Sequence, residues 1–211
     1  MTVVANARGV LLSSSAASLH HFSATNAGPL LEGTDSHDSF WGDSGVTVTL
    51  AGGEGDDIYH IYSANNAVRE EAGEGIDTLE TWMSTRLPAH VENLTVTAAG
   101  QYAFGNGLDN IITGGDGRQT LDGGAGDDVL IGGAGDDIFS ITAGNGSDLI
   151  LDFAEGDSLR LFGSGFTSFG EIALRLTQQG DDAVLDLGGG EILVLADTAV
   201  DDLSAEDFAL E

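Results

Sequence analysis

The sequence predicts an all-β fold: a right-handed parallel β-roll, or β-helix, solenoid with a C-terminal β cap. Three observations predict it. Residues 105–140 read GNGLDNIIT, GGDGRQTLD, GGAGDDVLI and GGAGDDIFS, four nonapeptides in one register. Glycine supplies 32 of 211 residues, about twice its average usage, and the excess lies in the repeats. The chain has no cysteine, and it carries 35 acidic residues against six basic ones, all arginine. Disulfides therefore cannot staple it, and its charge needs an external counterweight.

Each nonapeptide follows G-G-x-G-x-D-x-U-x, where U is large and apolar. The first six residues form a turn in which glycines permit positive φ and close approach of neighbouring backbones. Carbonyl oxygens and the sixth-position carboxylate then converge on one point. Ca2+ takes six to eight oxygens at roughly 2.3–2.6 Å in flexible geometry, which such a turn supplies. The last three residues form a short strand with its apolar side chain inward: Ile112, Leu121, Leu130 and Phe139. Two nonapeptides complete one turn of the coil, so repeats two apart stack and an ion sits between their turns. The sixth positions are Asn110, Gln119, Asp128 and Asp137. The neutral amides predict weaker sites than Asp128 and Asp137, around which Gly123, Gly126, Gly132 and Gly135 shape the backbone. AGNGSDLIL then offers Asp148 and AEGDSLRL offers Asp157. Earlier, isolated copies place Asp38, Asp57 and Asp77 at the same position, in GTDSHDSFW, GGEGDDIYH and AGEGIDTLE. The set predicts several Ca2+ ions. The competing reading, stronger for the isolated copies, is solvated Gly-Asp turns without metal.

Along the chain, residues 1–30 read as a linker rich in Ser, Ala and Asn, ending at Gly28-Pro29. Its start is too weakly basic and too serine-rich for a signal peptide. Residues 31–104 read as an irregular solenoid in which VTVTL, IYHIY and NLTVT are strands. Residues 105–157 are the tandem roll. Residues 158–211 change character: LRLF, IALRLTQ, DAVLDL and EILVLA are strand-like. SFGEIALRL is alternatively a short helix, with Ser168 and Glu171 at capping-box spacing. This segment is expected to cap the coil, because an open β edge invites aggregation.

The net charge of −29 makes a compact chain repel itself. Ca2+ offsets two charges per ion, which predicts that binding and folding are coupled. The same charge excludes nucleic acid, whose phosphates need basic patches. No apolar run reaches the ~18 residues of a transmembrane helix, so membrane insertion is not expected.

The stretch GGAGDDVLIGGAGDDIF resembles the RTX (repeats-in-toxin) calcium-binding family, and the likeness extends over roughly 31–211. That resemblance implies a secreted, extracellular protein that folds on meeting calcium. It also implies a type I secretion apparatus as partner, reading an uncleaved C-terminal signal; the tail ILVLADTAVDDLSAEDFAL is similar to such ends. DSFWGDSGVTVTLAGGEGDDIYHIYS, TLETWMSTRLPAHVENLTVT and YAFGNGLDNIITGG together resemble the C-terminal module of secreted rhizobial-type glycanases of glycoside hydrolase family 16. The architecture is also similar to the repeat modules of secreted mannuronan C5-epimerases, which assist alginate binding. Either likeness implies a companion catalytic domain, and the E-x-D-x-x-E motif of family 16 has no match in this chain.

No catalytic site is expected. His20, His21, His37, His60 and His90 lack H-E-x-x-H spacing, and there is no G-x-S-x-G elbow or phosphate loop. Carboxylate pairs such as Asp127-Asp128 are explained by calcium, which weakens any one as a glycosidase dyad. The expected ligand-binding residues are Trp41, Trp82, Arg86 and Tyr102. Aromatic faces stack on sugar rings, Trp41 falls at an outward ninth position after inward Phe40, and Arg86 follows Trp82 closely. Arg69, Arg86 and Arg118 also suit acidic sugars through bidentate contacts. The competing reading packs these aromatics against loops and leaves the arginines as local charge balance. Three functions follow: a polysaccharide-binding or targeting module, for a neutral or an acidic polymer, serving a polysaccharide-degrading enzyme; a purely calcium-triggered folding and secretion module; and an adhesion or self-association module. Exposure of Trp41 or Trp82 near an arginine favours the first, and a surface of acidic turns with every aromatic buried favours the second.

Overall fold

A computed structural model describes residues 19–24, 28–42 and 45–210. Among them β-structure dominates, and the one α-helix has five residues. The chain divides into two compact units: Met1–Trp82 with Leu87–Asn93, and Met83–Arg86 with Leu94–Glu211.

Unit one contains β1 (His20–Ser23), β2 (Leu30–Glu32), β3 (Asp38–Trp41), β4 (Val48–Ala51), β5 (Ile58–His60), β6 (Asn66–Val68) and β7 (Thr78–Thr81). Each strand pairs in parallel with the strand two places on, giving one sheet in the order β1-β3-β5-β7 and another in the order β2-β4-β6. Alternate side chains of a strand face opposite ways, so the register decides the core. Phe22 stands beside Phe40, and Phe40 beside Tyr59. Their buried rings stack at 4.9 and 5.1 Å. Trp41, one residue on from Phe40, points to solvent as its ninth position predicts.

The segment expected to be linker contains β1 and the start of β2, so pairing begins before residue 31. The physical reason lies in β1, whose buried Phe22 caps the aromatic stack and whose His20 Nδ1 meets Asp38 Oδ1 at 3.0 Å. Residues 1–18 of that segment lie outside the described residues.

Unit two contains β8 (Thr85–Arg86), β9 (Asn93–Val96), β10 (Tyr102–Phe104), β11 (Ile111–Thr113), β12 (Thr120–Asp122), β13 (Val129–Ile131), β14 (Ile138–Thr142), β15 (Asp148–Ile150) and β16 (Ser158–Phe162). There follow α1 (Phe169–Ala173), β17 (Leu176–Gln179), β18 (Asp182–Gly188), β19 (Glu191–Leu195) and β20 (Phe208–Leu210). β9, β11, β13 and β15 form one parallel sheet, and β8, β10, β12, β14, β16 and β20 the other. Ile112 pairs with Leu130 and Leu121 with Phe139, and all four are fully buried, as the repeat pattern requires.

The C-terminal segment adds β19 in parallel to β15, then turns antiparallel through β18 and β17. α1 forms where SFGEIALRL allowed a helix, but Ser168 makes no side-chain cap. Glu171 reaches one residue further back instead, accepting from Thr167 N at 2.7 Å and Oγ1 at 3.1 Å. A capping box does form at Ser204 and Asp207, ahead of β20.

Candidate metal centres and an exposed aromatic row

Every sixth-position residue proposed as a ligand is buried: Asp38, Asp57, Asp77, Asn110, Gln119, Asp128, Asp137, Asp148 and Asp157. They form columns. In unit two, Asp128 Oδ1 accepts from Asn110 N at 2.8 Å, and Asp148 Oδ1 accepts from Asp128 N at 3.1 Å. On the opposite sheet, Asp137 Oδ1 accepts from Gln119 N at 2.7 Å, and Asp157 Oδ1 from Asp137 N at 2.8 Å. In unit one, Asp57 Oδ1 accepts from Asp38 N and Asp77 Oδ1 from Asp57 N, while Glu92 Oε2 receives Asp77 N. One oxygen of each such carboxylate thus ties its turn to the turn before.

The other oxygen is the chemically informative one. Oδ2 of Asp57, Asp77, Asp128 and Asp137, and Oε1 of Gln119, are buried without a hydrogen-bond partner. A buried acceptor left unpaired is costly, and a hard cation is the group that answers several such oxygens together. Burial pushes these carboxyls up: Asp57 to about 8, Asp128 to about 7, and Asp77, Asp137 and Asp148 to about 6. Neighbouring carboxylates add to the rise, opposed by the backbone N–H each carboxylate accepts. The donor set therefore fits Ca2+.

The turn glycines shape these corners. A Cβ on Gly123 would collide with the Asp128 carboxylate, and one on Gly126 would sit 2.5 Å from Leu108 O at a φ of +118°. Gly132 and Gly135 take the same roles beside Asp137 and against the Gly117 backbone. Not every expected ligand is alike. Asp38 has both oxygens partnered, by Thr34 N at 2.6 Å and His20, and Asp157 has both partnered by backbone N–H groups. Asn110 Oδ1 accepts from Asn106 N at 2.9 Å.

Residues 104–139 match the RTX calcium-binding nonapeptide repeat in four copies. These turns are RTX repeats. Two curated proteins of Rhizobium meliloti (strain 1021) resemble the chain around the RTX run as well. Endo-1,3-1,4-beta-glycanase ExsH is 58% identical over 207 residues, 98% of this chain and 44% of the relative. Endo-1,3-1,4-beta-glycanase EglC is 52% identical over the same length and shares. The chain therefore spans less than half the length of these relatives. The extracellular lipase LipA from Serratia marcescens aligns with a TM-score of 0.46 and 17% identity over 94% of this chain and 41% of the lipase.

Of the residues expected to meet a ligand, Trp41 and Trp82 lie in unit one, 44% and 52% exposed. Trp41 stacks on His60 at 4.0 Å and Trp82 on Tyr62 at 4.5 Å, while Trp41 and Tyr62 are 6.2 Å apart. A continuous aromatic row results. His60 and Tyr62 were missed in the sequence, although IYHIY holds both and its alternation sends them to the same side as Trp41. In unit two Tyr102 is 49% exposed, with its ring parallel to Phe104 at 6.1 Å. Arg86 lies 4.8 Å over the Phe104 ring and donates to Gly105 O at 3.0 Å. Other carboxylates escaped notice because they fall outside the sixth position: Glu70, Glu92, and Asp152, which caps Gly132 N and Gly133 N at 2.8 Å each.

Proposed function

We propose that this chain is a non-catalytic, calcium-binding module of a secreted polysaccharide-cleaving enzyme, and that it holds the enzyme to its polymer. The observation that carries the reading is the row Trp41–His60–Tyr62–Trp82, whose two tryptophans are exposed and whose His60 and Tyr62 are half-buried between them. Flat aromatic faces offered to solvent suit the apolar faces of sugar rings. The glycanase names of the two relatives support a polysaccharide setting and a companion catalytic domain. Calcium, held at the sixth-position residues, keeps the row in place by ordering the turns between its strands. Export by a type I apparatus fits the RTX repeats.

The test is retention on a panel of neutral and acidic polysaccharides, in Ca2+ and in EDTA. Binding in Ca2+ alone, weakened in Trp41→Ala and Trp82→Ala, is the expected result. Absence of binding to every polymer, in a chain that calcium circular dichroism shows to be folded, would sink it. That outcome favours the second reading, a calcium-triggered folding and secretion module, which the chain's net charge of −29 supports.

A further inference from the structure

We propose that Asp57, Glu70 and Asp77 form an enclosed site for one hard divalent cation in unit one, Ca2+ being the ion that such an all-carboxylate set suits. This goes beyond the ion expected between stacked turns, because it adds a third ligand, Glu70, from outside the repeat pattern. It stands on unit one alone and is independent of the tandem run.

Glu70 is the unusual residue. β4 and β6 pair Leu50 with Val68, so two residues further on Glu70 stands opposite Gly52. The slot is one where the repeat places glycine: a Cβ on Gly52 would collide with the Asp57 carboxylate and come within 2.5 Å of the Tyr59 hydroxyl. Glu70 fills that place with a carboxylate. Gly52 N donates to Glu70 Oε1 at 3.0 Å, and the Tyr59 hydroxyl donates to the same oxygen. Both hold the side chain turned inward.

What remains points at a common centre. Oxygen atoms of Asp57, Glu70 and Asp77 all lie within 4.8 Å of one another. Each residue keeps one oxygen that is buried and unpartnered: Asp57 Oδ2, Glu70 Oε2 and Asp77 Oδ2. The residues themselves are 1%, 5% and 1% exposed. The charges acting on them come from further carboxylates, Asp38, Asp56, Glu74 and Glu92, which repel. No basic side chain answers these carboxyl groups, so what satisfies them is a cation or protons, one of them shared between Glu70 and Glu74. Oxygen-only ligands select a hard ion over zinc or copper. Oxygens within 4.8 Å of one another are close enough to share one ion, and Ca2+ accepts such a set in flexible geometry, whereas Mg2+ demands a near-ideal octahedron and keeps several waters.

The experiment counts bound Ca2+ per chain at saturation, by equilibrium dialysis and elemental analysis, in the 211-residue chain. Four proteins are compared: wild type, Glu70→Gln, Glu70→Gly and Asp128→Asn. Glu70→Gly restores the glycine that the repeat places in that slot and so preserves the fold while removing the ligand. Both Glu70 variants should bind one ion fewer, and Mg2+ in tenfold excess should not refill the wild-type site. Asp128→Asn should keep this ion and weaken the tandem run instead. Unchanged ion counts and affinities in the Glu70 variants overturn the proposal, whatever Asp128→Asn does, and mean that protons satisfy the trio. A second arm needs no change to any ligand: Tb3+ bound in the wild-type centre is excited through Tyr59, and Tyr59→Phe should lose that component of emission. Undiminished emission also overturns the site.

Discussion

Gly126 shows how much of this fold rests on single atoms. Its φ of +118° and the Leu108 carbonyl 2.5 Å from a would-be Cβ leave no room for a side chain. Left-handed backbone costs an L-residue about 1–2 kcal/mol before any clash is counted. In a chain of this size that converts to about 2–8 °C in Tm. Gly126→Ala should therefore lower the Tm of the calcium-loaded protein by at least that much, measured by calorimetry. Asp128 carries a different expectation. Its loss removes both the acceptor for Asn110 N and an unpaired oxygen directed into the turn. Asp128→Ala should lower calcium affinity by about tenfold or more, a loss of at least about 1.4 kcal/mol, and reduce cooperativity in a calorimetric titration; an unchanged isotherm would remove Asp128 from the ligand set. The repeat pattern made such residues legible, because position within nine residues fixes both the turn and the inward strand residue. Glu70 was illegible for the same reason. It stands opposite Gly52 through the pairing of β4 with β6, which no local pattern announces, and it replaces the residue type the pattern looks for.

At the scale of elements, the short strands from β3 to β7 each carry little, but their register builds a continuous surface. β3 pairs with β5 so that Trp41 stands beside His60, and Tyr62 and Trp82 extend the row. An aromatic contact contributes about 0.5–1.5 kcal/mol beyond its buried area, or about twofold to twelvefold in affinity. Trp82→Ala should weaken polymer retention by that factor while leaving the calcium titration unchanged; a parallel fall in both would mean that Trp82 supports the fold and not the ligand. The strands of the C-terminal segment were legible from composition, since LRLF and EILVLA are β-rich in any setting. Their order was not. Nothing local tells that β19 joins β15 while β18 and β17 run antiparallel. The start of the solenoid was misread because the residues around β1 are Ser, Ala and Asn, and only the stacking of Phe22 on Phe40 reveals it.

For the molecule as a whole, pH and calcium act on the same carboxyl groups with opposite sign. In the metal-free fold Asp57 and Asp128 are raised to about 8 and about 7, chiefly by burial, from an ordinary value of 3.8. Between the ordinary and raised values the folded chain holds more protons than the unfolded chain, so stability falls as pH rises through that window. Metal-free protein should thus gain thermal stability on acidification from pH 8 toward pH 5.5, whereas calcium affinity should fall over the same range as protons compete for the ligands. Parallel melting curves and titrations at the two pH values check both signs, and a metal-free chain that is more stable at pH 8 would contradict them. The columns add a sense of direction to this chemistry. Asn110 N waits on Asp128, and Asp128 N on Asp148; across the roll Gln119 N waits on Asp137, and Asp137 N on Asp157. In these sixth-position columns the acceptor belongs to the later turn, whereas the fifth-position carboxylates Asp109 and Asp127 accept from Asp127 N and Ser147 N of the turn that follows them. Within those columns a turn is locked only once the turn after it is in place, so removing the last turn of the roll would leave the N–H groups of Asp128 and Asp137 unanswered.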